Sequence, residues 1–256
     1  MLIYKKFKEI PRLLSMLKSI NYKKTSSISL IPVGNYCFNM STKDPISHQN
    51  ISLRTLLRNA THHHHVKLNQ HPLLAGLIKP NYPLKNYCTL LLAYFKLYQL
   101  MEDPIRQFLY DHSTVFNYDE RYKLPWLIKD LTYFQIESFK PNQNTQKLLN
   151  FPAIESIGQL VGVLYVLEGS TLGGQAISII LADNYGFTSN TGSCFFSGYG
   201  ENTQFFWQRF ITFADTLSNN PQECLAAETA ACQAFQLFNT VLDDAVSPEH
   251  SLHKRL

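Results

Sequence analysis

Residues 161–180, VGVLYVLEGSTLGGQAISII, decide the fold, because this apolar run has helical character and still carries four glycines. Inside a helix each glycine costs roughly 1 kcal/mol relative to alanine, so a group close to the backbone is expected to explain them. Gly169 and Gly173 are four residues apart and share one helical face. That face predicts a flat strip without side chains, on which another helix or a flat ligand can lie. The glycines of the run are Gly162, Gly169, Gly173 and Gly174.

Helical periodicity continues on both sides of this run, from residue 51 to near the end of the chain. Ser52 is the predicted N-cap of the first helix, which His71 and Pro72 end. Residues 102–104, Glu-Asp-Pro, predict a break between two helices with both carboxylates in solvent. No stretch alternates as a strand does, so the predicted fold is an all-α, single-domain bundle of roughly seven to nine helices. The other predicted helices are Tyr87–Leu100, Ile105–Tyr110, Leu124–Ile136, Ile154–Asn184, Thr203–Leu217 and Pro221–Val246.

The composition is that of a globular protein, with 45% apolar and 16% charged residues in a chain of 256. We interpret residues 1–50 as a basic, Ser/Asn/Pro-rich N-terminal extension, residues 51–247 as the helical domain and residues 248–256 as a short C-terminal tail. The net charge of +4 is concentrated in the first segment rather than along a stacking surface. Nucleic acid is therefore not an expected partner.

Three features bear on the cellular compartment. The basic N-terminal segment contains no uninterrupted apolar stretch, so no signal peptide is expected. Glu168 interrupts the glycine-rich run, so no transmembrane segment is expected either. The five cysteines are scattered and include no CxxC pair, which favours a reducing, cytoplasmic location.

Four successive histidines, residues 62–65, form the second signal. In a helix they point through about 300° in total, so at least one faces inward and most face solvent. Spacing does not choose among them, because His64 and His65 both neighbour Leu68 on the helix surface. The run is consistent with a solvated patch that contains one core histidine. A zinc site from His62 and His65 would have only two ligands and is weak.

Most catalytic motifs are absent from the sequence. EGSTLGG is not a G-x-S-x-G elbow, because Gly169 directly precedes Ser170, and neither a phosphate-binding glycine loop, HExxH nor Glu-x-x-His occurs. A histidine on one helix and a glycine-lined second helix are, however, the parts needed to clamp a flat metal macrocycle, with imidazole on the iron. The alternative is that the glycines only allow two helices to pack closely.

Four stretches of the chain resemble the heme oxygenase family, in particular the bacterial branch found with bacteriophytochromes. They span about residues 52–245 and occur in the family's order. The first and third are the specific ones. The stretches are LLRNATHHHHVKL (56–68), YCTLLLAYFKLYQLMEDPI (87–105), GVLYVLEGSTLGGQAI (162–177) and FFSGYGENTQFFWQRF (195–210).

The resemblance implies roles for nine residues. The family's A-T-x-x-x-H pattern includes Thr61 and identifies His65 as the proximal iron ligand, and Arg58, seven residues earlier, matches a residue that pairs with a heme propionate. Tyr165 and Arg209 match further propionate or pocket positions. Ser170 stands where many family members have an aspartate that organises proton-delivering water. The implied distal, catalytic positions are Gly169, Ser170, Gly173 and Gly174.

The resemblance also implies a reaction, the oxidative cleavage of heme to biliverdin, carbon monoxide and ferrous iron. Heme is then both substrate and cofactor, its iron uses O2, and electrons come from an external donor such as ferredoxin or a flavin reductase. A phytochrome apoprotein is the implied acceptor of the bilin. Two alternatives stay open, a heme carrier or sensor without turnover and a scaffold of the same fold that binds no heme.

Overall fold

The computed structural model describes residues 52–113, 115–136 and 151–247. These ranges contain helices and turns but no strand, so the predicted all-α fold is confirmed. The predicted extension 1–50 and tail 248–256 lie outside the described residues. Two 3₁₀ turns, Asp119–Arg121 and Gly200–Asn202, join the helices. The helices are α1 Leu53–Gln70, α2 Pro72–Ala75, α3 Leu84–Asp111, α4 Leu124–Tyr133, α5 Ile157–Tyr185, α6 Cys194–Ser197, α7 Thr203–Asp215 and α8 Pro221–Val246.

Side-chain caps set the starts of α1 and α8. The Ser52 hydroxyl accepts the backbone N–H of Thr55 at 3.4 Å, and His71 ends α1, as predicted. The Asn220 side chain caps α8, whose bounds agree with the predicted ones. The segment between α5 and α7 contains the single-turn helix α6.

The break predicted at residues 102–104 is wrong, because α3 continues through Pro104. The expected exposure of Glu102 is wrong as well, since its side chain is fully buried. Its carboxylate accepts the backbone N–H groups of Lys123 at 2.9 Å and Leu124 at 3.2 Å, which lie at the start of α4. The Tyr118 hydroxyl donates to it at 2.8 Å. Burial of this carboxylate is stabilised by hydrogen bonds to the first N–H groups of another helix. The sequence around residue 102 does not show these distant partners.

Helix α8 is the surface on which α1 and α5 both pack. A Cβ on Gly158 would lie 2.2 Å from the carbonyl oxygen of Glu223, and one on Gly162 would lie 2.2 Å from that of Ala227. The residue numbers rise together along α5 and α8, so the two helices run in the same direction. Only glycine permits this close approach of two backbones.

Helix α1 runs along α8 in the same direction. The Cys232 thiol lies 3.7 Å from the carbonyl oxygen of Ala60, and the ring of His65 lies 6.1 Å from that of Phe235. Helices α1 and α5 therefore run parallel to each other across α8. This arrangement positions the histidine run and the glycine run on neighbouring helices.

Helix α5 is long and apolar enough to cross a membrane by length and composition, with a mean hydropathy of 1.3. The central helix of a soluble bundle passes the same test. Here Gly158 and Gly162 pack on α8, and Glu168 is fully buried among charged partners. These contacts are those of a core helix.

Asp130 holds the start of α6. Its buried carboxylate accepts the backbone N–H groups of Cys194 and Phe195, both at 2.8 Å. Burial raises the pKa of Asp130 to about 6, and the two hydrogen bonds and Lys129 oppose that rise. The folded protein therefore binds a proton that the unfolded chain, with an ordinary pKa of 3.8, has lost.

We expect this group to make the free energy of unfolding largest below pH 4 and to lower it as the pH rises to 6. The full change is about 3 kcal/mol for a buried group with this pKa difference. Asp130→Asn removes the carboxyl group that titrates. The substitution also removes one hydrogen-bond acceptor, which lowers the free energy of unfolding by an amount that does not vary with pH. Urea unfolding of both proteins between pH 4 and pH 7 measures the difference; equal slopes would contradict the assignment.

Candidate active site

Helices α1 and α5 meet at Thr61 and Tyr165. Burial raises the pKa of the Tyr165 phenol, whereas the neighbouring Thr61 hydroxyl and the guanidinium groups of Arg54 and Arg58 lower it. Thr61 itself is buried, and its hydroxyl donates to the carbonyl oxygen of Leu57 at 2.7 Å. The structure thus brings together three residues implied by the resemblance and adds Arg54. Sequence analysis missed Arg54, although it lies one turn before Arg58 on the same face.

One helical turn beyond this contact, an open face begins on α5. Because α1 and α5 are parallel, His65 and Gly169 lie at the same level, each four residues past the contact. A Cβ on Gly173 would meet no atom within 4 Å, and one on Gly169 would meet the Trp207 ring at 3.8 Å, among the described residues. Bare main chain therefore borders open space at Gly173, on the helix beside the histidine helix.

The four glycines of the run have two different roles. A Cβ on Gly174 would lie 2.9 Å from the carbonyl oxygen of Phe196, so Gly174 packs against α6. Gly162 packs on α8, with the Cβ of Ala230 also 2.9 Å away. Among the four, only Gly173 borders open space, whereas a Cβ on Gly169 would make ordinary contact with the Trp207 ring at 3.8 Å. The structure therefore does not bring Gly174 to the face that the other two glycines share.

His65 presents an accessible imidazole at this level. Although the ring reaches solvent, partial burial and, to a smaller extent, His62 lower the pKa of His65, which favours the neutral form at pH 7. Its Nδ1 lies 3.3 Å from the side-chain amide nitrogen of Asn69. Amide nitrogen and oxygen exchange places by rotation of the side chain. With its oxygen turned to Nδ1–H, Asn69 leaves Nε2 as a free electron-pair donor for a metal.

The other histidines differ in position. His64 is half-buried, stacks on Phe235 at 6.4 Å and on His63 at 3.9 Å, and also has a pKa lowered by burial. His62 and His63 are exposed. Two histidines, His64 and His65, therefore lie near α8, and none of the four is fully buried.

Ser170 carries the hydroxyl nearest to the open main chain. Its Oγ donates to the carbonyl oxygen of Leu167 at 2.8 Å, so the Tyr98 phenol is the donor in the 3.0 Å contact between Tyr98 and Ser170. Tyr98 is fully buried, and burial keeps its pKa well above the ordinary value. The sequence patterns did not single out Tyr98. The available signal was a hydroxyl on the apolar face of α3, which needs a partner when buried.

Arg209 lies on α7. On α7 the Trp207 ring faces Gly169 and lies 5.9 Å from the Tyr165 ring. Two residues further along, a helix has turned by about 200°. The guanidinium of Arg209 lies 5.6 Å from the Phe205 ring centroid. The propionate or pocket role of Arg209 stays a prediction.

Glu168 was expected only as an interruption of the apolar run. In the structure it is buried and paired with Arg121 and Lys123. A lone carboxylate in an apolar helix is a signal of buried cationic partners. The segment that supplies them, residues 119–123, reads DERYK. Glu168 directly precedes Gly169 on α5.

The sequence model of the heme oxygenase family matches residues 51–244. The chain belongs to the heme oxygenase family. Among curated proteins, none matches it by sequence. The match includes both helices that border the open face, which supports the family resemblance seen in the sequence.

Solved heme oxygenases share the fold. The NO- and CO-bound heme oxygenase from Neisseria meningitidis superposes with a TM-score of 0.62 at 18% identity, covering 76% of this chain and 92% of that one. The heme oxygenase from Leptospira interrogans gives 0.59 at 19%, covering 76% and 100%. Heme oxygenase-2 from Synechocystis sp. PCC 6803, in complex with heme and NO, gives 0.62 at 18%, covering 76% and 85%.

Proposed function

We propose that this heme oxygenase family member cleaves heme oxidatively to biliverdin, carbon monoxide and ferrous iron, using O2 and external electrons. The observation that carries the proposal is an accessible imidazole at His65, on the helix beside the bare main chain of Gly169 and Gly173, of which Gly173 borders open space. A planar ring needs a donor on one face and a surface without side chains on the other. The residues present fit that requirement.

Different residues of the chain would bind the iron and the propionates of heme. When bound, heme supplies both the iron that activates dioxygen and the ring that is oxidised. His65 is the residue that would hold the iron through Nε2, and Asn69 would fix the proton on Nδ1. The guanidinium groups of Arg58 and Arg54 lie beside Tyr165, where they can pair with the ring's propionates.

Ser170 is the residue we assign to proton handling. Its hydroxyl donates to Leu167 and accepts from Tyr98, so Oγ keeps a lone pair for a water in the cleft. Rotation of the hydroxyl away from the Leu167 carbonyl turns its proton toward the open side, while the Tyr98 hydrogen bond holds Oγ in place. Serine thus serves where many family members use aspartate, as an orienting group that does not itself ionise.

The test has two steps. Hemin added to the protein is expected to give a Soret band, and then ascorbate, or ferredoxin with its reductase, is expected to give a bilin spectrum under air. A Soret band without bilin would favour the carrier or sensor, which the serine at position 170 makes the second candidate. Absence of a Soret band would leave a scaffold that binds no heme.

The partners follow from this proposal. The electron donor is a ferredoxin or a flavin reductase, and the bilin acceptor is a phytochrome apoprotein if the chain belongs to the bacteriophytochrome-associated branch. A cytoplasmic location fits both. Serine directly after Gly169 is the sequence feature that supports this branch.

A further inference from the structure

A buried cluster of charges surrounds Glu168, the residue of α5 that directly precedes Gly169. The carboxylate of Glu168 has no exposed surface. Its Oε2 accepts from Nη1 of Arg121 at 2.6 Å, and its Oε1 accepts from Nζ of Lys123 at 2.6 Å. The Tyr199 hydroxyl lies 3.0 Å and 3.1 Å from the two carboxylate oxygens. Three donors from outside α5 therefore hold this single side chain.

The cations in the cluster are fixed by further contacts. Nζ of Lys123 also donates to the carbonyl oxygen of Arg121 at 2.8 Å and to the Tyr199 hydroxyl at 3.1 Å. Nη2 of Arg121 donates to the carbonyl oxygen of Phe206 at 3.1 Å, and its guanidinium lies 4.8 Å from the Phe116 ring and 5.0 Å from the Phe206 ring. Buried pairs are screened little by solvent, and their geometry is strongly determined.

The segment that supplies these cations is itself tied to α3. Glu102 accepts the backbone N–H of Lys123 at 2.9 Å. The two buried carboxylates and the two buried cations balance in charge, which a cluster excluded from water requires. Glu168 thus connects α5 to a rigid support made from α3 and the start of α4.

Glu168 lies between two differently packed parts of α5. The N-terminal half of α5 is held on α8 by Gly158 and Gly162. Gly169 and Gly173 have no side chains to hold their stretch of helix, and Gly173 borders open space. Glu168 immediately precedes Gly169 and lies two residues before Ser170. The anchor therefore acts directly before the stretch of α5 that contains the two bare glycines and Ser170.

We propose that Glu168 is a positioning residue, whose buried pairing with Arg121 and Lys123 fixes the bare main chain of α5 and the Ser170 hydroxyl against the cleft. Its role in turnover rests on the proposed function, whereas the anchoring is a property of the protein without heme. The two parts are therefore tested separately.

The anchoring is tested by hydrogen exchange on the full chain without heme. In Glu168→Gln, amides of residues 169–175 are expected to exchange roughly tenfold faster, because local opening there loses a buried ion-paired restraint. Amides of residues 160–166 are expected to keep the wild-type rate. Glu120→Gln is the matched control, since Glu120 is an exposed carboxylate of the same cation-bearing segment. Unchanged exchange at 169–175, or equal acceleration along all of α5, would overturn the proposal.

A milder variant covers the case in which Glu168→Gln does not fold. Tyr199→Phe removes one hydroxyl from the cluster and leaves both ion pairs in place. It is expected to accelerate the same amides by a smaller factor, about threefold, in the same pattern along α5. A pattern centred elsewhere would count against the anchor.

The role at the reaction site is tested with hemin. Glu168→Gln is expected to release hemin to apomyoglobin several-fold faster, and its loss of kcat is expected not to add to that of Ser170→Ala, because both act on one hydroxyl. Additive losses with an unchanged hemin release rate would show that Glu168 supports only the fold. If wild type binds hemin but makes no bilin, the proposed function fails, and the exchange and release rates still decide the anchor.

Discussion

His65→Ala is expected to abolish turnover and to shift the Soret band of the hemin complex. The substitution removes the one nitrogen donor that we assign to the iron, and loss of a ligand is more severe than the roughly 10–100-fold effect of losing a group behind it. The fold should persist, since His65 is an exposed helical residue and alanine is the best helix former. Hemin titration and single-turnover assays measure both effects.

Two neighbouring histidines provide the controls for this prediction. His62→Ala should change neither spectrum nor turnover, because His62 is exposed. His64→Ala is the sharper control, because the His64 ring also contacts Phe235. Imidazole added to His65→Ala should restore the wild-type Soret position. Equal effects of the His64 and His65 substitutions would refute the choice of His65.

Much of the fold could be predicted from the sequence, because helix ends depend on nearby residues. Ser52 and Asn220 cap helices α1 and α8 with their own side chains, and the predicted starts of both helices are confirmed. Glu102 and Pro104 show the limit. A proline ordinarily breaks a helix, and a carboxylate ordinarily seeks water, but Glu102 is buried because it accepts N–H groups some twenty residues away in the chain.

The candidate site could be predicted only in outline. Spacing placed Gly169 and Gly173 on one face, but it could not show that Gly162 and Gly174 contact other backbones. That distinction depends on which helix lies on each side of α5. Trp207 is a further example, since the sequence did not show that this residue of α7 lies against Gly169. Tyr98 and Glu168 needed the structure because their partners come from distant segments.

The different roles of the glycines predict opposite outcomes for two substitutions on the same helix. Gly162→Ala places a Cβ 2.2 Å from the carbonyl oxygen of Ala227, so α5 and α8 must separate. Overpacking against a backbone should lower the free energy of unfolding by about 3 kcal/mol, the upper end of the usual range. Denaturant unfolding measures this loss. Hemin bound by the remaining folded protein should show an unchanged Soret band, because the open face is not altered.

Gly173→Leu should leave the stability of the protein intact and prevent hemin binding. A Cβ at residue 173 meets no described atom within 4 Å, and leucine forms helix better than glycine by roughly 0.8 kcal/mol, so the protein without heme should be at least as stable as wild type. The isobutyl group would nevertheless fill the space beside the bare main chain and block hemin. Gly173→Ala, which adds a single methyl group, is the control and should retain most of the affinity. A Gly173→Leu protein that binds hemin normally would show that the ring lies elsewhere, because no flat ligand could share that space with a leucine.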